Sequence, residues 1–129
     1  MEENVVTKGD RYSPLALAFL GDAVFEMYIR EHLLSKANAP VDSLHKKAVR
    51  YVKASAQCEA FDRIEPYLNE KELRVFKRGR NAKINTKAKN AALSEYKKAT
   101  GFETLLGYLH INGDISRLNE LLSIAAVFN

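Results

Sequence analysis

A single cysteine, Cys58, leaves this 129-residue chain no internal disulfide. Cys58 shares a helical stripe with Tyr51, Ser55 and Phe61, which places it in the core as an inert thiol. No run of about 18 apolar residues occurs, which argues against a membrane span. The opening Met-Glu-Glu-Asn has neither the basic nor the apolar region of a secretory signal. Together with the lone thiol, these absences point to a cytoplasmic protein. Repeats, low-complexity tracts and linker-like segments are missing too, so residues 1–129 are expected to form one domain around one core. There is no sustained apolar–polar alternation, which leaves an all-helical chain rather than a sheet. The histidines His32, His45 and His110 are scattered without metal-ligand spacing and read as surface or packing residues. No Ser-His or Cys-His arrangement offers a nucleophile.

What is present is helical periodicity with clear punctuation. Ser13-Pro14 supplies a cap and a first-turn proline for a helix to about residue 35. Leu44, Ala48, Tyr51, Ser55, Cys58 and Phe61 form one stripe, predicting a second helix over about 42–64 that Pro66 closes. Asn69 with Glu72 predicts a capped short helix ending at Gly79. Further helices are expected over about 86–98, from Thr100 to about 111, and from an Asp114 cap onward. Leu118, Leu121, Leu122 and Ala125 share one side of the last.

Net charge is only +4, but it is unevenly placed. Residues 71–98 hold ten Lys/Arg against two Glu, whereas the remainder is net acidic. A solvated lysine-rich face would explain the charge alone. The stretch from Arg78 to Lys89 favours a polyanion partner, because it gathers Arg78, Arg80, Asn81, Lys83, Asn85, Lys87 and Lys89 with little apolar anchoring. Those donors suit phosphate and ribose contacts. Stacking aromatics are absent from 77–95, which disfavours single-strand binding and favours duplex RNA read through its backbone shape and 2′-hydroxyls. A second basic stripe, Lys46, Arg50 and Lys53, reads as a solvated face.

Asp22 and Gly21 interrupt an otherwise apolar helical stretch, Ala-Leu-Ala-Phe-Leu-Gly-Asp-Ala-Val-Phe-Glu, at 16–26. The helical neighbours of Asp22 include Ala18, Phe19 and Phe25, and burying an unpartnered carboxylate on such a face is costly. A basic partner, hydrogen bonds or a metal ion must therefore offset it. Gly21 costs about 1 kcal/mol relative to alanine inside a helix, which points to close approach of another backbone. Gly107 reads the same way, and a crossing at these two glycines would bring Asp22 and Glu103 together. Glu26 stands four residues before Arg30, a favourable surface pair, and is left out of the site.

The string Phe-Leu-Gly-Asp-Ala-Val at 19–24 closely resembles the signature of the ribonuclease III catalytic domain, Glu-Phe-Leu-Gly-Asp-Ala/Ser-Val. The family's second motif, Asp-x-x-Glu-Ala-x-x-Gly-Ala, has its counterpart in Thr100-Gly-Phe-Glu103-Thr-Leu-Leu-Gly107-Tyr, 81 residues on from Asp22 to Glu103. The resemblance covers roughly residues 10–129. It extends to the family's Mini-III group, catalytic domains without a double-stranded-RNA-binding domain, through Arg-Gly-Arg-Asn-Ala-Lys at 78–83. By itself Thr100-Gly-Phe-Glu103 would read as a capping box; beside the first motif it reads as part of a site.

The resemblance implies an all-α, ribonuclease III endonuclease-domain-like helical bundle that hydrolyses double-stranded RNA. It also implies a homodimer whose two sites each cut one strand of a duplex. Products would carry 5′-phosphate and 3′-hydroxyl ends with short 3′ overhangs. Asp22 and Glu103 become metal ligands for Mg²⁺, with Mn²⁺ as an alternative, and the ion activates water for phosphodiester hydrolysis. The relatives mature large-subunit ribosomal RNA, so precursor 23S rRNA is the expected substrate, selected by the basic loop or with a ribosomal protein. Standard members carry acids where this chain has Ala18 and Thr100, so four carboxylates become two. That loss keeps a rival open, a non-catalytic RNA-binding ribosome-assembly factor on the same fold. Retention of both Asp22 and Glu103 favours the enzyme.

Overall fold

In the computed structural model, residues 6–128 are described; the opening Met-Glu-Glu-Asn lies outside them. The described residues form six α-helices and two short 3₁₀ turns, with no strand. The helices are α1 (Pro14–Lys36), α2 (Val41–Val52), α3 (Ala54–Ile64), α4 (Glu70–Arg80), α5 (Ala91–Ile111) and α6 (Ile115–Ala125). None is long and apolar enough to cross a membrane.

Helix α5 runs through the middle of the bundle. Every residue from Ala99 to Leu109 is buried except Glu103, which stays half-buried. A helix apolar all round belongs inside a protein, so Glu103 is the one opening in a helix otherwise sealed over those three turns. Phe102 of α5 meets Phe25 of α1 edge-on, ring centres 5.1 Å apart. Phe76 of α4 stacks on Phe61 of α3 at 3.7 Å. The α1–α5 contact is made through glycines: a Cβ on Gly21 would overlap the Glu103 carbonyl oxygen and come within 2.9 Å of Gly107 N. A Cβ on Gly107 would overlap the Leu17 carbonyl oxygen. The close approach expected of both glycines is therefore present, and it sets Asp22 beside Glu103.

Local signals fixed most boundaries. Ser13 accepts from Ala16 N–H, and Pro14 opens α1. Asn69 and Glu72 form the reciprocal capping box at the start of α4. Glu72 also holds α6, because both its carboxylate oxygens accept from Arg117, at 2.7 and 2.8 Å. Such a bidentate pair satisfies a carboxylate that is 4% exposed.

Several expectations fail locally. The helix predicted over 42–64 breaks at Lys53, whose extended backbone ends α2 and begins α3. The helices predicted over 86–98 and from Thr100 are one helix, α5, beginning at Ala91. Thr100 is no cap: its hydroxyl donates to the Tyr96 carbonyl at 2.9 Å, the back-bond of a mid-helix threonine. Asp114 occupies the N-cap position of α6, but its side chain makes no capping hydrogen bond. Cys58 is half-buried rather than core, with its thiol donating to the Glu95 carbonyl at 3.2 Å. As expected, His32 packs, stacked on Phe128 at 3.4 Å, while His45 and His110 are exposed.

Candidate active site

Asp22 and Glu103 lie in one open cleft of about 310 Å³. Helix α1 contributes Leu15, Ala18, Phe19 and Asp22; α5 contributes Tyr96, Thr100 and Glu103; the loop before α5 contributes Ile84 and Asn85. Asp22 is exposed, not buried as its apolar neighbours implied. The reason is that α1 is apolar on two faces. Leu17, Gly21, Phe25 and Ile29 face the core, while Phe19 is 84% exposed and Met27 60% exposed. Asp22 stands at the edge of that outer face, where water offsets its charge.

Glu103 bears the burial cost instead. Burial first, and the Asp22 carboxylate second, push its carboxyl up to about 8. Gln57 pulls the other way, its Nε2 donating to Glu103 Oε2 at 3.3 Å. Two carboxyls this close resist ionising together, and a divalent cation between them removes the conflict. Oxygen-only donors suit a hard cation such as Mg²⁺, which needs only one or two protein carboxylates. Among the described residues no group of three or more His, Cys, Asp or Glu gathers to hold a metal. Among the described residues, Asp22 and Glu103 are the acids that line the cleft. Ala18 and Thr100, the positions at which the resemblance implies acids in standard members, line the same cleft. Glu26 is outside it, paired with Arg30 at 2.7 Å as expected.

The basic stretch splits between helix and loop. Arg78 lies exposed in the last turn of α4. Arg80, half-buried, sits 5.6 Å over the Phe76 ring, and its Nε donates to Asn81 Oδ1 at 3.1 Å. Asn81 caps α4 and is exposed; Lys83, Lys87 and Lys89 are exposed along the irregular segment between α4 and α5. None of these cations forms an ion pair among the described residues. The same segment reaches the acidic cleft at Ile84 and Asn85.

The sequence did not single out Tyr96, Ile84 or Gln57. Gln57 was the most detectable of the three, being an amide on the stripe of Ala60, Phe61 and Ile64 where an apolar residue was due.

The Ribonuclease III domain family matches residues 15–114. The chain belongs to the ribonuclease III family. It is 49% identical to a Mini-ribonuclease 3 of Clostridium tetani over 92% of this chain and 80% of that one. It is 47% identical to a Mini-ribonuclease 3 of Streptococcus pneumoniae over 84% of this chain and 87% of that one. The crystal structure of a protein from Fusobacterium nucleatum superposes with a TM-score of 0.79 at 31% identity, covering 88% of this chain and 90% of that one. The all-helical bundle is thus the ribonuclease III domain fold, and the chain is a ribonuclease III-type endoribonuclease of the Mini-III kind.

Proposed function

We propose that this ribonuclease cleaves double-stranded RNA in a divalent-metal-dependent reaction, with Asp22 and Glu103 as the catalytic, metal-holding pair. The observation that carries the reading is the juxtaposition of these two carboxylates from α1 and α5 in one open cleft. Bound there, Mg²⁺ or Mn²⁺ would activate water and relieve charge on the phosphate. The chain's own residues do the rest. Asp22 and Glu103 supply the oxygen donors, Gly21 and Gly107 fix their separation, and Ala18 and Thr100 leave the cleft wide enough for a phosphate.

The duplex is held by Arg78, Arg80, Asn81, Lys83, Lys87 and Lys89, whose donors reach phosphates and 2′-hydroxyls. The loop that carries most of them also lines the cleft, so binding and cutting are adjacent. The exposed apolar face of α1, with Phe19, Met27 and Leu34, is the surface on which two copies meet. A two-fold pair puts two clefts on one duplex, each cutting one strand and leaving 5′-phosphate and 3′-hydroxyl ends. Residues 1–129 act as one catalytic domain in the cytoplasm. The expected substrate is a structured precursor of 23S ribosomal RNA, with a ribosomal protein assisting the choice of site.

The test is cleavage of long double-stranded RNA and of precursor 23S rRNA with Mg²⁺, with EDTA, and by a folded Asp22→Asn variant. Cutting that needs the ion and Asp22 supports the reading. Cutting in EDTA, or by the variant at wild-type rate, overturns it.

A further inference from the structure

Gln57 is the buried polar residue that packing does not explain. It is 2% exposed, on the face of α3 that carries Ala60, Phe61 and Ile64 into the core. Its Nε2 donates twice, to the Val52 carbonyl at 3.1 Å and to Glu103 Oε2 at 3.3 Å. The first bond serves the break at Lys53, where the Val52 carbonyl ends α2. Its Oε1 is shut away from solvent with no partner among the described residues. An unpaired buried acceptor costs about 1–3 kcal/mol, whereas an apolar side chain of the same shape costs nothing of the kind. A filler of this stripe would therefore be leucine or methionine. What neither of those can do is donate to a carboxylate.

Glu103 has few other groups to hold it. Ala18 and Thr100 bring no carboxyl to the cleft, Asp22 repels it, and no Lys or Arg pairs with it among the described residues. Gln57 is the hydrogen-bond donor that fixes one of its oxygens. We propose that Gln57 is the positioning residue of this site: from α3 its amide locks the Glu103 carboxylate in the orientation that receives the divalent ion. The inference rests on the reading of Asp22 and Glu103 as the ion-holding pair. It adds a third helix to that site, since the other two components come from α1 and α5. It also accounts for an active centre with half the family's carboxylates: a preset oxygen loses less freedom when the ion binds.

Outer-sphere partners of metal ligands change affinity or activity by about 10–100-fold when removed. The experiment compares wild type with Gln57→Met and Gln57→Leu, which keep the volume and remove the donor. Thermal unfolding, Mn²⁺ binding to the free protein by electron paramagnetic resonance, and duplex cleavage across Mg²⁺ concentrations are measured on each. The expected result is a melting temperature moved only slightly, because losing the unpaired Oε1 offsets losing the bond to the Val52 carbonyl, with Mn²⁺ affinity weakened about 10–100-fold, a higher Mg²⁺ requirement and an unchanged KM for RNA. A folded variant that binds Mn²⁺ and cuts like an active wild type overturns the role of Gln57 alone. A wild type that neither binds Mn²⁺ nor cuts duplex RNA overturns the underlying reading, and this inference with it. Should both variants unfold, the Gln57 side-chain amide resonance of the wild-type protein decides. A shift on Mg²⁺ saturation supports the role, and an unmoved resonance overturns it.

Discussion

Gly21 of α1 and Gly107 of α5 meet backbone to backbone, so closely that neither helix could carry a side chain there. Either Cβ would strike a main-chain carbonyl, Glu103 for Gly21 and Leu17 for Gly107, and neither helix backbone can swing aside as a flexible side chain could. Overpacking of this kind costs typically about 1–3 kcal/mol, and a clash with backbone belongs at the upper end. Gly21→Ala and Gly107→Ala should each lower stability by about 3 kcal/mol in urea unfolding. Each should also depress cleavage in the fraction that stays folded, because parting the helices separates Asp22 from Glu103. Wild-type stability in either variant would remove the crossing as the determinant of the site.

Neutralising either acid should abolish cleavage without unfolding the protein. Asp22→Asn and Glu103→Gln are each expected to cut duplex RNA at least about 100-fold more slowly, beyond the range of outer-sphere changes. Asp22 is exposed and Glu103 is destabilised by its own charge, so neither substitution removes a packing contact. Cleavage rates beside melting temperatures, measured on the same preparations, check the pair. A rate loss that merely follows a loss of fold would count against a chemical role.

The raised Glu103 carboxyl makes stability depend on pH in a stated direction. Its value of about 8 in the folded chain stands above the ordinary 4.5. Between those values the folded state holds a proton that the unfolded chain has released, so metal-free stability falls as pH rises through that window. Mg²⁺ favours the ionised pair, so its stabilising effect should grow toward pH 8. Melting temperatures in EDTA and in Mg²⁺ across that window measure both trends. Glu103→Gln should flatten the first and remove the second; profiles parallel to wild type would refute the assignment.

Much of this was legible in the residues, and the failures have physical causes. The caps at Ser13 and Asn69 use side chains whose partners lie within the same turn, so their signals are local and were read correctly. Gly21 and Gly107 were legible because glycine inside an apolar helix is costly without a reason. Lys53 was not, since the stripe from Leu44 to Phe61 continues across the break with neither proline nor glycine to mark it. Thr100-Gly101 looked like a helix start because threonine, glycine and Glu103 mimic a capping box. In the bundle Gly101 is instead needed for the Phe76 ring, into which a Cβ would run at 2.7 Å. The exposure of Asp22 escaped notice because α1 is apolar on two faces, and periodicity cannot say which one meets the core.

The outer face of α1 predicts the assembly. Phe19, Met27 and Leu34 are 84, 60 and 54% exposed, a patch that a lone domain in water has reason to cover. A two-fold interface is self-complementary, so one substitution acts twice. Phe19→Asp is expected to convert a dimer to a monomer in sedimentation equilibrium with little change in melting temperature measured on the monomer. A wild type that is already monomeric at high concentration would refute the interface.

The basic segment should reveal itself in salt dependence more than in affinity at one condition. Each phosphate neutralised by Lys or Arg releases condensed counterions, so the slope of log affinity against log salt falls by about 1 for each contact removed. Lys83, Lys87 and Lys89 are exposed and unpaired among the described residues, so their replacement by alanine should spare the fold. Arg80→Ala differs: it also loses the Phe76 ring and the Asn81 bond, and a small drop in melting temperature is expected with it. Binding of a catalytically silent Asp22→Asn background to duplex RNA across a salt series separates the effects. Lys46→Ala, on the solvated stripe of α2, serves as the control. Equal slopes for the Lys83, Lys87 and Lys46 variants would mean that the duplex does not lie along the loop, whatever the cleft beneath it does.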